Sequence, residues 1–383
     1  MKWSDINAFF ALLRAGLWER WDDNANLNID DDEVDWEEVY RLAEEQSVIG
    51  LVSAGLDRFK VHDSGFNVPQ EWALQFVGSS LQLEQSNKSM NQYLARLIGE
   101  MRRADIYALL IKGQGLAQCY ERPLWRTNGD IDLFLSDDNY QKAKKYLQPL
   151  ASTVESEATY EKHLGMTLNG WVVELHGRLR CGLSGRSDKV LDKIQDDVFF
   201  GGDVRSWNNQ GVPVFMLSVE NDVFYVFTHY LGHFYKGGIG LRQICDWCRL
   251  LWTYKDTIKT DKLQSYIKSS GLESEWKAFG AFAVEYLGMP VSAVPMVNEN
   301  DNHKEKLKRK AERIKDFILM SGNFGHNRDM SFYSKYPYLI RKFYSLKMRM
   351  GDLINHARIF PLDSLRFFLK IMIDGLRSVS IGE

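Results

Sequence analysis

Gly129-Asp130-Ile131-Asp132-Leu133-Phe134-Leu135 is the stretch on which the fold of this chain turns. Ile131, Leu133 and Leu135 alternate with Asp130, Asp132 and Phe134. That period of two belongs to a β-strand with an apolar face and a face carrying both carboxylates. Two like charges so close raise each other's pKa unless a cation stands between them. A hard divalent ion takes oxygen ligands and is commonly held by one or two carboxylates together with substrate phosphates. Asp-x-Asp on one strand face therefore reads as a metal anchor.

Upstream, Tyr107 to Ile111 reads as a buried strand running into Lys112-Gly113-Gln114-Gly115, a turn whose glycines permit close backbone approach to a phosphate. It lacks the Gly-x-x-x-x-Gly-Lys of a P-loop, and Gln118 stands where a dinucleotide fingerprint has its third glycine. Downstream, Asn169-Gly170 separates two apolar stretches and predicts a two-residue hairpin turn. Leu168 then faces Trp171, Gly165 faces Glu174 and His163 faces His176. Glu174 looks across at a residue without a side chain, which leaves room for an ion or a phosphate. His163 and His176 read as a hydrogen-bonded pair supporting that carboxylate.

The order Lys112-Gly113, Pro123, Arg126, Gly129-Asp130-Ile131-Asp132-Leu133 and Glu174-Leu175-His176 resembles the DNA-polymerase-β-type nucleotidyltransferase superfamily. Within it the chain is most similar to a bacterial group whose substrates are largely unassigned. Gln114 stands where Ser or Gly is usual there, and the gap from Gly113 to Asp130 is longer than in the tight form of the motif. The resemblance implies an α+β fold in which a small mixed-sheet core is flanked by helical regions. It implies that Asp130, Asp132 and Glu174 are the catalytic acids and hold Mg²⁺ or Mn²⁺, and that Lys112, Gly113, Gln114, Arg126 and His176 contact the nucleotide. The implied reaction moves an NMP from an NTP to a hydroxyl acceptor on a small molecule, a protein or a nucleic acid. The rival is a catalytically inactive nucleotide-binding or interaction protein of the same fold.

Around that core the chain reads as helical. Residues 1–105 form an N-terminal helical region, 106–185 the core, and 186–383 a C-terminal region in which helices return from Asp188. Ser4 is a candidate N-cap for a helix carrying Ile6, Phe9, Phe10, Leu13 and Leu17, and Asp35-Trp36-Glu37-Glu38 opens another. Met90, Leu94, Leu97 and Met101 mark one face of a long helix after Pro69, and Ser136 caps one carrying Tyr140, Ala143 and Leu147. His229 and His233 share a helical face, but no Glu follows His229, so the metalloprotease signature is absent. The residues by themselves read as two partly buried histidines satisfied by neighbours; the resemblance implies instead that this helix, with Asp246 beyond it, covers the site and contacts the acceptor.

Composition bounds the rest. The chain has 383 residues, 45% apolar and 26% charged, ordinary for a globular protein. No run approaches the ~20 apolar residues of a membrane span, and Met1-Lys2-Trp3-Ser4-Asp5 does not open a signal peptide, so a cytoplasmic location is expected. Cys245 and Cys248 form a lone C-x-x-C without a companion pair, which predicts buried free thiols. Asp30-Asp31-Asp32-Glu33 lacks the glycine and spacing of a calcium loop. Residues 301–383 carry 17 Lys and Arg against 9 Asp and Glu, leaving 31 against 42 in residues 1–300. Such asymmetry allows an anionic partner for the basic end. There, Lys304 to Lys315 reads as a charged helix, and Leu365, Phe368, Leu369 and Met372 as a stripe packed on the protein.

Overall fold

The alternation at 131–135 is realised as an inner strand of a seven-stranded mixed sheet with helices on both faces. The structure is a computed structural model and describes residues 2–19, 34–61, 68–158, 162–297, 303–325 and 337–381. The acidic run Asp30–Glu33 lies outside them.

In chain order the strands are β1 (Leu109–Ile111), β2 (Ile131–Phe134), β3 (Thr153–Val154), β4 (His163–Leu168), β5 (Trp171–His176), β6 (Val204–Asn209) and β7 (Val212–Leu217). Their spatial order is β3-β4-β5-β2-β1-β7-β6. β2 runs antiparallel to β1 and parallel to β5, and β1 runs parallel to β7. The β4–β5 hairpin has the expected register, His163 with His176, Gly165 with Glu174 and Leu168 with Trp171. Its turn residues Asn169 and Gly170 take φ of 50° and 82°, the paired positive values that suit the twist of a two-residue hairpin.

The sheet does not end near residue 185. After α7 (Gly185–Phe199), the β6–β7 hairpin adds two strands where helices alone were expected. Its turn at Gln210-Gly211, with φ of 52° and 86°, joins two alternating stretches. Val214 and Met216 face the apolar layer, so the same local code was present there.

One sheet face buries Ile131, Leu133, Leu135, Val173, Leu175 and Leu164 against α4 (Gln70–Arg103) and α6 (Asp137–Leu147). The stripe Met90, Leu94, Leu97 and Met101 of α4 lies in that layer, as do Tyr140, Ala143 and Leu147 of α6, and Ser136 accepts the Asn139 N–H. The opposite face, carrying Asp132, Glu174 and His176, is covered by α8 (Val219–Lys236) and α9 (Leu241–Thr253). Behind them Trp247, Phe227, Tyr230, Trp276 and Phe279 pack in edge-to-face contacts, with Trp247 and Trp276 ring centroids 4.9 Å apart. Cys245 and Cys248 are buried free thiols in this layer, as expected.

At the N-terminus, helix α1 (Trp3–Leu17) starts one residue before Ser4, and the Asp5 carboxylate accepts the N–H groups of Lys2 and Asp35, both at 3.0 Å. Asp35 caps α2 (Trp36–Glu45) by accepting the Glu38 N–H. The basic end forms helices at Lys304–Ser321, Tyr338–Ala357 and Pro361–Ile381. The stripe expected on the last of these is rotated: Leu365 and Leu369 are about half exposed, at 48% and 52%, while Phe367 is buried. Phe367 and Phe360 enter an aromatic pocket beside Tyr235, and that contact sets the helix phase. Among the described residues, no helix is long and apolar enough to cross a membrane.

Candidate active site

The acidic face of β2 opens on a cavity of about 450 Å³ between the sheet and helices α8 and α9. Parallel pairing sets Asp132 directly beside Glu174, and Asp130 stands just before β2 on the same face. One oxygen from each of Asp130, Asp132 and Glu174 lies within 4.8 Å of the others. The three carboxylates expected to converge do so.

Three cation or imidazole groups hold this charge together. Lys112 Nζ lies 2.8 Å from Asp132 Oδ1, His176 Nε2 lies 2.8 Å from the same oxygen, and His163 Nε2 lies 3.0 Å from Glu174 Oε2. Asp130 is a weaker acid than usual, chiefly because Asp132 is charged beside it and secondarily because it is buried. Burial pushes the other two acids the same way, but is outweighed. Lys112 and His176 hold Asp132 below the ordinary range, and the hydrogen bonds from His163 and His176 do so for Glu174. Burial opposes the charged forms of Lys112 and His176, but the pKa of each is raised, mainly by Asp132.

The backbone that delivers Lys112 is strained. It takes φ 62° and ψ −153°, a region nearly confined to glycine and costing about 1–3 kcal/mol. The strain aims the ammonium at the carboxylates. Gly113 follows with φ 50°, and a Cβ there would come within 3.4 Å of the Asp130 carbonyl oxygen, so the turn closes on the Asp130 loop.

Other expected site residues are placed differently. Gln114 does not line the cavity. It is buried against α4, where its amide donates to Asn87 Oδ1 at 2.6 Å. Asn87 also donates to the Leu124 and Arg126 carbonyls at 2.8 and 2.9 Å, fastening the loop before Asp130. Arg126 reaches the cavity wall, but its guanidinium is taken by Asp246, with Nε and Nη2 each 2.7 Å from a carboxylate oxygen. Tyr120 donates a third bond to Asp246 at 2.8 Å. Asp246 thus anchors Arg126 rather than standing free. The room expected opposite Glu174 is filled, because a Cβ on Gly165 would lie 2.5 Å from Glu155 Oε2. The space around Glu174 opens toward α8 instead.

His229 and His233 line the cavity opposite the acids, with their Nε2 atoms 3.1 Å apart and His229 Nε2 3.4 Å from Lys112 Nζ. Burial, reinforced by Lys112, pushes His229 well below its usual pKa and His233 down to about 4. Both are neutral near pH 7.

Arg178, Lys236 and Arg242, which belong to none of the sequence motifs, also line the cavity. Arg178 carried a signal, since it continues the alternation of Glu174 and His176 past the end of β5. Its Nε is buried without a hydrogen-bond partner. Arg242, from α9, donates to the Thr127 and Asn128 carbonyls at 3.1 and 3.4 Å and so pins the same loop that Asn87 holds from behind.

The model of a family described as uncharacterised nucleotidyltransferase matches residues 32–288. The chain belongs to this nucleotidyltransferase family. The match spans the whole sheet together with α8 and α9, so the helices that roof the cavity are part of the family's unit. No curated protein and no solved structure matches the chain.

Proposed function

We propose that the protein transfers an NMP from an NTP to a hydroxyl acceptor. The observation that carries this reading is the convergence of Asp130, Asp132 and Glu174 within 4.8 Å on one wall of the cavity that also receives Gly113 and Lys112. The donor set is all oxygen and negatively charged, which suits Mg²⁺ or Mn²⁺. Bound between those carboxylates, such an ion would neutralise charge on the phosphates and on the attacking oxygen.

The chain's own residues supply position and charge. The acceptor oxygen bonds to the α-phosphorus as the bond to the β-phosphate oxygen breaks, the hydroxyl proton leaves, and pyrophosphate departs. Lys112, Arg178, Lys236 and Arg242 line the cavity and can meet the phosphates. Arg126 keeps Asp246 and the loop before Asp130 in place. The neutral imidazoles of His229 and His233 face this space and can position an acceptor hydroxyl by hydrogen bonding, while burial and the Lys112 ammonium make them weak bases, so the hydroxyl proton passes to solvent. Gln114, where this chain departs from the usual turn, faces α4 and leaves the cavity unobstructed.

Calorimetric titration of Mg²⁺-NTP into wild type and into Asp130→Asn/Asp132→Asn tests the reading. The variant should lose metal-dependent nucleotide binding. Because Asp132→Asn also gives up the pairs with Lys112 and His176, circular dichroism checks its fold. Asp130→Asn alone, which relieves the Asp130–Asp132 repulsion and keeps those pairs, should stay folded and bind more weakly. Equal affinity in both removes these acids from the site. Incubating wild type with α-labelled NTPs and a cell extract then looks for a labelled acceptor. Tight nucleotide binding with no labelled acceptor favours the inactive binding protein.

A further inference from the structure

Beside the three carboxylates stands a second donor set, which shares Glu174 with them and adds two imidazoles to which the proposed transfer gives no chemical step. His163 faces His176 across the β4–β5 ladder, and Glu174 precedes His176 by two residues on the same face. His163 Nε2 is 3.0 Å from Glu174 Oε2, and His176 Nε2 is 3.4 Å from the same oxygen. Both ring nitrogens and a Glu174 oxygen lie within 4.8 Å of one another.

The two nitrogen–oxygen separations fit a common ion. Bonds of about 2.1 Å meeting at octahedral to tetrahedral angles hold neighbouring donors about 3.0–3.4 Å apart. The scaffold is fixed, since a paired antiparallel ladder sets the register of all three residues. The donor chemistry differs from that of the neighbouring acids. Imidazole nitrogen favours first-row transition ions, whereas Mg²⁺ keeps to oxygen and water.

We propose that His163, Glu174 and His176 form a site for a divalent transition ion, of the class of Mn²⁺, Co²⁺ or Zn²⁺, adjoining the Asp130–Asp132–Glu174 carboxylates and sharing Glu174 with them. The proposal rests on the hairpin's donor geometry and not on nucleotidyl transfer. It gives the cavity two poles of different selectivity: an all-oxygen pole that accepts Mg²⁺ and a mixed pole that does not.

The test is pulsed electron paramagnetic resonance on the full chain, stripped with a chelator and loaded with one equivalent of Mn²⁺ in excess Mg²⁺. The expected spectrum carries imidazole ¹⁴N coupling, which persists in Asp130→Asn because that residue is outside the set. In His163→Gln the coupling should weaken and Mn²⁺ affinity fall by more than about tenfold, the loss that removal of even an outer partner of a metal site brings. Bound Mn²⁺ without ¹⁴N coupling in the wild type overturns the proposal, as does its complete displacement by Mg²⁺ at equal concentration. The wild-type spectrum decides even where the variant does not fold. A nitrogen-coupled ion in a protein that transfers no nucleotide upholds this site and favours the inactive binding protein. Transfer with an oxygen-only Mn²⁺ spectrum does the reverse.

Discussion

Replacing Lys112 with Met removes the ammonium that stands among the carboxylates and changes little else. Met keeps a Cβ and an unbranched chain, so the strained backbone at φ 62° and ψ −153° is common to both proteins and cancels in the comparison. What remains is the lost charge. Lys112 Nζ is 2.8 Å from an Asp132 that is 1% exposed, and breaking a buried pair by removing one partner costs about 3–5 kcal/mol. His176 still contacts Asp132 at 2.8 Å, which places the expected loss at the lower end, about 3 kcal/mol. Urea denaturation followed by circular dichroism in a chelator should show that loss. A divalent ion should then reverse it, since binding at 100-fold over Kd adds about 2.7 kcal/mol to the folded state. Wild type should gain less from the same ion, because there the ion competes with the Lys112 ammonium for Asp132. Equal midpoints for the two proteins in chelator, or equal shifts on adding the ion, would refute the view that Lys112 holds the place of a metal.

Two further outcomes follow from particular side chains. Arg178 lines the cavity with its Nε unpaired, so Arg178→Ala should leave stability within about 0.5 kcal/mol. It should weaken Mg²⁺-NTP binding about tenfold, the size of one charge-assisted hydrogen bond; calorimetry showing unchanged affinity together with lost stability contradicts this. Burial, and secondarily the charge of Asp363, pushes Glu275 up to about 7 from 4.5, with Glu275 Oε2 left without a partner. An acid with a raised folded pKa binds its proton more tightly in the folded state, so its contribution is best below pH 4.5 and is lost as pH rises through 7. Glu275→Gln should therefore stabilise the protein by up to about 3 kcal/mol above pH 8, with the gain vanishing below pH 4.5. A gain independent of pH in thermal melts contradicts it.

The sequence by itself determined what depends on neighbours along the chain. The period of two at 131–135 put Asp130 and Asp132 on one face, and Asn169-Gly170 set the register that brings His163 opposite His176. Asp35 and Ser136 marked helix starts because a cap is a contact across three residues. The same local code is present at Gln210-Gly211, where the structure has the β6–β7 hairpin.

Tertiary structure alone decided the contacts between distant segments. The parallel pairing that sets Asp132 beside Glu174 joins residues 42 apart, and nothing local specifies it. Arg126 was expected at the phosphates, but the packing of α9 supplies Asp246, and a buried guanidinium must be paired. Gln114 turned to α4 because Asn87 is there to accept its amide, and Glu155 filled the space left by Gly165 because the β3 edge brings it over. The last helix took its phase from an aromatic pocket around Tyr235 rather than from its own apolar stripe. A local period tells which residues share a face; what that face meets is settled by burial and polar pairing over the whole chain, where an unpaired buried charge or an empty space costs more than any local preference returns.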